Sequence, residues 1–330
     1  MSHVAFLQSE ITALPPEKCR YQVIPVPYEA TVSYGGGTKN GPAAIIEASG
    51  QLEAWTGRSL PLRHGIYTWP EVDCAGQAEK VLDNIESAVS KALEHGPSLG
   101  ITGNGAALPE RESACNCTPC LPVVLGGEHT VTLGVLRALR KRYGHFGVIQ
   151  FDAHADLRQS YEGSIYSHAC VMRRAVDDLG LDLFQFGVRS LSVEEVEFRA
   201  ERGIKYLDAR QAMFPLPGGL PSASAPHGAS AIGSSASRCD SLSGLLPADF
   251  PEQVFLTFDI DALDASLMPS TGTPEPGGLF WWDALRLIEA SLSGRRCIGF
   301  DVVELAPQPG LHAPNFTAAR LVYEIMGMFG

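Results

Sequence analysis

Short apolar runs recur along this chain, and several of them close on a cluster of charged residues. They are "YQVIPVPY" (21–28), "PVVLGGEH" (122–129), "FGVIQFDAHAD" (146–156), "DLFQFGVRS" (182–190), "VFLTFDIDALD" (254–264) and "CIGFDVVEL" (297–305). Runs that are apolar on both faces mark strands of a parallel sheet covered on both sides. Between them the pattern changes to helical spacing. In "QAEKVLDNIESAVSKALEH" (77–95), Val81, Ile85, Val89 and Leu93 recur four apart. "VTLGVLRALRKRYG", "VEEVEFRAERG", "FWWDALRLIEASLSG" and the terminal "NFTAARLVYEIMGMFG" read the same way. Strands alternating with helices predict a doubly wound, mostly parallel α/β sheet.

Two stretches break the alternation. Residues 96–120 are rich in Gly, Pro and Cys, and 215–250 are Gly/Ser/Ala/Pro-rich and of low complexity. We read one domain over 1–330 with two loop insertions. "SYGGGTKNG" lacks the lysine and serine or threonine of a phosphate loop and reads as a tight turn or interface loop. The Trp281–Trp282 pair reads as core or interface, core being preferred.

Composition narrows the function. The formal net charge is −12, which argues against a nucleic-acid partner. No apolar run approaches the roughly 20 residues that span a bilayer. The N-terminal stretch carries no basic region before an apolar core, so no signal peptide is read and a cytoplasmic location is expected. The eight cysteines then read as thiols rather than a disulfide framework. "CNCTPC" (115–120) lacks an evident fourth ligand for a zinc site.

The chemistry sits where the apolar runs end, because ligands of open α/β sheets gather at the carboxyl ends of strands. One run ends at His129, one at Asp152, His154 and Asp156, one at Asp259 and Asp261, and one at Glu304. On an extended backbone, residues two apart share a face. Asp152, His154 and Asp156 would then point one way, as would Asp259 and Asp261. Four aspartates converging in a dry pocket repel one another unless cations neutralise them, and two divalent ions account for the set. Oxygen and imidazole ligands without thiolate favour Mn²⁺ and leave Zn²⁺, Co²⁺ or Ni²⁺ open. Asp264 and Asp301 are left outside the ligand set.

At these residues the chain resembles the ureohydrolase superfamily of arginases and agmatinases. "GGEH", "DAHAD", "FDIDALD" and "GFDVVELAP" stand in the family's order, with Glu128 where many members have aspartate. The resemblance implies a three-layer α/β/α fold around two manganese ions per subunit. It implies His129, Asp152, His154, Asp156, Asp259 and Asp261 as metal ligands, with a metal-bridging hydroxide as nucleophile. It further implies Glu304 as the guanidinium-binding carboxylate, Asp156 as a proton relay and His168 as a proton shuttle. Family members usually form trimers or hexamers, so a homotrimer or homohexamer is expected.

The implied substrate is a small guanidino cation. Arg158 stands where arginases carry an asparagine for the substrate carboxylate, and Ser192 where they carry an aspartate. Both departures speak against arginine and for agmatine, giving putrescine and urea. Glu162, Tyr161 or Ser160 could meet the agmatine ammonium. A guanidinobutyrase, or another enzyme of acidic guanidino compounds with Arg158 or Arg173 as cationic partner, is the alternative. A catalytically silent homologue would have lost a ligand, and none is lost.

Overall fold

A strand apolar on both faces needs cover on both sides, and the fold supplies it. The computed structural model describes residues 4–11, 13–96, 119–213 and 245–329. Its elements run β1 (Tyr21–Val26), α1 (Gly41–Ser49), β2 (Ile66–Thr68), α2 (Ala78–His95), β3 (Leu121–Gly126), α3 (Val131–Tyr143), β4 (Gly147–Phe151) and α4 (Val171–Asp177). They continue with β5 (Asp182–Phe186), α5 (Val193–Arg202), β6 (Lys205–Leu207), α6 (Ala209–Met213), β7 (Gln253–Asp259), α7 (Trp281–Leu292), β8 (Arg296–Val303) and α8 (Ala313–Gly327). The eight strands form one sheet in the order β2-β1-β3-β8-β7-β4-β5-β6. Every strand pair in it is parallel.

Strand alternation sorts the apolar side chains into two cores. Tyr21 and Val23 of β1, Ile149 and Phe151 of β4, and Leu256 and Phe258 of β7 pack with α1, α7 and α8 on one face. Ile24, Val26, Val148 and Phe255 pack with α2, α3, α4 and α5 on the other. This is the expected three-layer, doubly wound architecture. β2 and β6 were not read from the sequence; each is a three-residue edge strand.

Of the expected insertions, residues 97–118 and 214–244 lie outside the described residues, Cys115 and Cys117 among them. The flanks are packed: Cys120 and Leu246 are buried. The start of α7 divides the tryptophan pair and corrects the core reading for one of them. Trp281 packs against the core, whereas Trp282 is 70% exposed.

The glycine pair after β3 brings two chain segments into close contact. The Gly127 amide donates to Val26 O at 2.8 Å and the Glu128 amide to Tyr28 O at 2.9 Å. A Cβ at Gly127 would lie 1.9 Å from Tyr28 O. Gly127→Ala must therefore push the β3 turn off the β1 extension. We expect a loss of stability of about 1–3 kcal/mol, as for overpacking at a buried site. A thermal melt with an unchanged midpoint would show that the contact is not needed.

Candidate metal centre

The strands that end in charged clusters are neighbours. β3, β8, β7 and β4 are adjacent in the sheet. His129 follows β3, Glu304 follows β8, Asp259 ends β7 with Asp261 just beyond, and Asp152, His154 and Asp156 follow β4. The central carboxyl edge thus collects all these residues.

The local geometry differs from the extended segments expected. β4 stops at Phe151, and β7 gives way after Asp259 to a 3-10 turn over Ile260–Ala262. The first aspartate of each motif causes the bend. Asp152 Oδ1 accepts the His154 amide at 2.6 Å, and Asp259 Oδ1 accepts the Asp261 amide at 2.9 Å. Both are Asx turns, in which a side-chain carboxylate replaces the ladder partner of the backbone two residues on. Each turn brings the next ligand back over the strand end. The two motifs are also tied together, because Asp261 Oδ1 accepts the Ala153 amide at 2.9 Å.

Two of the pocket carboxylates stand on left-handed backbone: Asp156 at φ 54° and Glu304 at φ 66°. Such a conformation costs on the order of 1 kcal/mol or more in a non-glycine residue and persists only where surrounding bonds enforce it. Here they do. The Asp156 carbonyl accepts the amides of Met172 and Arg173, both at 3.1 Å, and the Glu304 amide donates to Gly127 O at 2.9 Å.

The ligand atoms fall into two groups. His129 Nδ1 lies 3.1 Å from Asp152, 2.9 Å from Asp156 and 3.5 Å from Asp259. His154 Nδ1 lies 3.0 Å from Asp261 and 3.6 Å from Asp152. Asp152 belongs to both groups. The donor set fits two divalent ions sharing a carboxylate. His129 supplies the test: its Nδ1 is buried and makes no hydrogen bond, although three carboxylate oxygens surround it. Its Nε2 lies 2.9 Å from Thr257 Oγ1. With the Nε2 proton given to that hydroxyl, the Nδ1 lone pair faces the carboxylates, as a metal-ligating imidazole must.

Further polar residues hold the ligands from behind. Gln150 Nε2 donates to Asp152 Oδ2 at 2.7 Å, Gln185 Nε2 to Gln150 Oε1 at 2.5 Å, and Arg199 Nε to Gln185 Oε1 at 2.7 Å. Gln150, Gln185 and Thr257 were not singled out from the sequence. The signal was there: each is a lone polar residue inside a run that should be wholly apolar. Asp301, kept outside the ligand set, accepts the Thr132 hydroxyl at 2.7 Å. Asp264, also kept outside, accepts the amides of Ser266, Gly277 and Gly278 and holds the loop before α7.

Electrostatics shows how short of positive charge the pocket is. Burial and the neighbouring Asp152 push Asp156 up to about 7. Burial and Asp261 raise Asp259, and burial and Glu128 raise Glu304. At His154 burial opposes the proton, but Asp261 and Asp152 outweigh it and push the ring up to about 12. Burial lowers His168.

An inner cavity is lined by His154, Asp156, Asp259 and Asp261 of the cluster, by Glu304 and His168, and by residues of two loops, among them Ser33, Tyr34 and Thr271. An outer chamber shares His154, Asp156 and His168 with it and adds Arg158, Tyr161, Ser192 and Glu275. Arg158 lies over the Tyr161 ring at 5.1 Å. Ser192 is the N-cap of α5: its hydroxyl accepts the Glu195 amide and bonds Glu195 Oε2 at 2.8 Å. Glu162 is exposed and lines neither cavity, so the structure does not bring it to the pocket. Arg173 is engaged elsewhere, with Asp177 at 2.7 Å and over the Phe198 ring at 3.6 Å.

Carboxylate and imidazole side chains meeting at the carboxyl edge of a doubly wound sheet make a donor set suited to divalent metal ions. The sequence profile of the Arginase family matches residues 19–214 and 245–327, and the chain belongs to that family. It is a ureohydrolase, a hydrolase of carbon–nitrogen bonds whose family centre holds two metal ions. An N(1)-aminopropylagmatine ureohydrolase of Synechocystis sp. is 36% identical over 93% of this chain and 88% of its own length. An agmatinase of Pyrococcus horikoshii is 31% identical over 93% of this chain and 91% of its own length. The crystal structure of an agmatine ureohydrolase of Thermoplasma volcanium superposes with a TM-score of 0.74 at 27% identity, covering 99% of this chain and 94% of that one.

Metal binding should compete with protons. To ligate, Asp156, Asp259 and His154 must each shed a proton that the metal-free pocket holds more tightly than usual. Lowering the pH therefore weakens the complex. Calorimetric titration with Mn²⁺ as probe ion should give an affinity falling about tenfold or more per pH unit below about 7. An affinity flat from pH 7 to 6 would contradict the pocket's charge balance.

Proposed function

We propose that the chain hydrolyses a guanidino compound with a cationic tail, agmatine to putrescine and urea, using two Mn²⁺ ions. The observation that carries this reading is that Glu304, His168 and four carboxylate and imidazole residues of the cluster line one cavity, which shares His154, Asp156 and His168 with a chamber lined by Glu275. His129, Asp152, Asp156 and Asp259 would hold one ion, and Asp152, His154 and Asp261 the other. When bound, the ions acidify water at neutral pH and so supply the nucleophile.

The remaining chemistry falls to the chain. A guanidinium is a poor electrophile because its charge is delocalised, and it must be held flat and fixed. Glu304 serves as its carboxylate partner. Oε1 is fixed by the His129 amide at 2.6 Å, so the carboxylate meets the substrate in one orientation. The cation also relieves the charge imbalance that raises Glu304. Asp156 would take one proton of the attacking water and pass it to the leaving amine, and His168 would carry the water's other proton to the same nitrogen, which departs as an ammonium. Without that protonation the tetrahedral adduct cannot release the diamine.

The tail selects the substrate. Glu275 lines the outer chamber, and its carboxylate has no cationic partner among the described residues. Its backbone is fixed, because Arg189 donates to Glu275 O at 2.7 Å and to Asp261 O at 2.8 Å. We assign Glu275 the distal ammonium. The Synechocystis relative favours a second reading, in which N(1)-aminopropylagmatine is the better substrate. Arg158 would serve an acidic tail instead. The protein is proposed to act in the cytoplasm as a homotrimer or homohexamer.

Urea release from the Mn²⁺-loaded protein decides among these readings when measured on agmatine, N(1)-aminopropylagmatine, arginine and guanidinobutyrate. We expect turnover of one or both cationic compounds. Turnover of guanidinobutyrate alone would move specificity to Arg158. Glu275→Gln should raise KM for the cationic substrates roughly threefold to tenfold at nearly unchanged kcat, the size expected for a partly exposed ion pair. An unchanged KM would remove Glu275 from the substrate site.

A further inference from the structure

The glutamate of "GGEH" is fully buried and is not one of the cluster's ligand atoms. Four donors converge on it. Ala30 N lies 2.6 Å from Oε2 and Thr31 N 2.7 Å from the same oxygen; Thr31 Oγ1 and Thr130 Oγ1 both lie 2.8 Å from Oε1. The Thr31 hydroxyl also accepts the His168 amide at 3.1 Å and lies 3.1 Å from His168 Nδ1. One hydroxyl therefore joins a buried carboxylate to the histidine of the cavity.

A threonine hydroxyl has a single hydrogen. The carboxylate can only accept, so that hydrogen goes to Glu128. The oxygen's lone pairs are left for the His168 amide and for Nδ1. The ring must then carry its proton on Nδ1, which leaves Nε2 as the basic nitrogen. The Tyr161 ring meets the imidazole edge-on at 5.9 Å and restrains its plane.

We propose that Thr31, anchored by Glu128, is a positioning residue that holds His168 as the Nδ1–H tautomer with Nε2 free to take up and hand on a proton. This rests on the shuttle role given to His168 above. The proton balance is closed: Nε2 gains one proton from the water side of the reaction and loses one to the leaving amine. Meanwhile the Nδ1 proton stays on its hydroxyl partner. The longer reach of glutamate over aspartate places the carboxylate under Thr31 while the next residue, His129, enters the ligand cluster.

The test combines kinetics on agmatine, with the Mn²⁺-loaded enzyme, and side-chain nitrogen NMR of isotope-labelled histidine in metal-free wild type at pH 8. We expect Thr31→Val to lower kcat about tenfold or more, with KM and metal content unchanged, and Thr31→Ser to restore the rate. In a His168→Asn background, Thr31→Val should cost nothing further, because it acts through that ring. The His168 Nδ1 signal should be of the protonated, pyrrole type. Full activity of Thr31→Val beside a slow His168→Asn would overturn this proposal alone. So would an equal Thr31→Val loss in both backgrounds, or a proton on Nε2 in the wild type. Full activity of His168→Asn would remove the shuttle and this proposal together. The NMR result needs neither turnover nor a variant, so it decides even if a variant fails to fold.

Discussion

Mutual repulsion among carboxylates buried at one end of the sheet is the constraint on which the rest of this structure depends. Asp152, Asp156, Asp259, Asp261 and Glu304 are all at least nine-tenths buried. Left alone, such charges would push the strand ends apart or take up protons. Asp156, Asp259 and Glu304 lean towards the second course. The backbone does not yield because it is fixed from several directions. Asx turns bend the chain after β4 and β7, and the amides at the start of α4 grip Asp156. The crowding is thus held ready for divalent cations, and a cationic substrate is welcome in the same place for the same reason.

That rigidity is built by polar residues in otherwise apolar strands. A line of amides and a guanidinium runs from Arg199 through Gln185 and Gln150 to Asp152. On the other side, Thr257 meets the ring nitrogen of His129 that faces away from the carboxylates. A buried polar network is favourable only when its members are partnered, and Gln150 and Gln185 are each bonded through both the oxygen and the nitrogen of the side-chain amide. Arg189 does similar work outside the sheet, binding the backbone of Asp261 and of Glu275 and so tying the tail-facing loop to the metal strand.

The sequence made the frame legible because burial on both faces leaves unmistakable apolar runs. Each named run became a strand, and each named helical stretch a helix. The charged endings of four runs identified what meets at the carboxyl edge, although the reason differed. The ligands converge through Asx turns and left-handed residues rather than along extended strands, and periodicity cannot reveal a turn made by the ligand's own side chain. Ser192 shows a readable signal passed over: "SVEE" is a capping box, with Ser192 and Glu195 bonding reciprocally at the start of α5. Ser33, Tyr34, Thr271 and Glu275 carried no such signal. They reach the cavities because loops distant in sequence pack together, as where the Gly35 amide donates to Gly272 O at 3.1 Å.

This division between strand ends and loops separates chemistry from selectivity. Residues that would hold ions and guanidinium follow four neighbouring strands, and moving any of them would disturb the sheet. The residues assigned to the tail sit on loops clamped at a few points, where a side chain can change without moving the backbone beneath it. Arg158 and Glu275 illustrate the consequence. They line the same chamber with opposite charges, so a change at either would re-aim the enzyme between cationic and acidic tails while the cluster stayed intact. His168 stands at the boundary, lining both cavities. Its anchor, Thr31, comes from the loop after β1, but the carboxylate beneath Thr31 comes from the turn after β3. The proton path is therefore tied to the sheet through Glu128, and the tail-binding loops can vary around it.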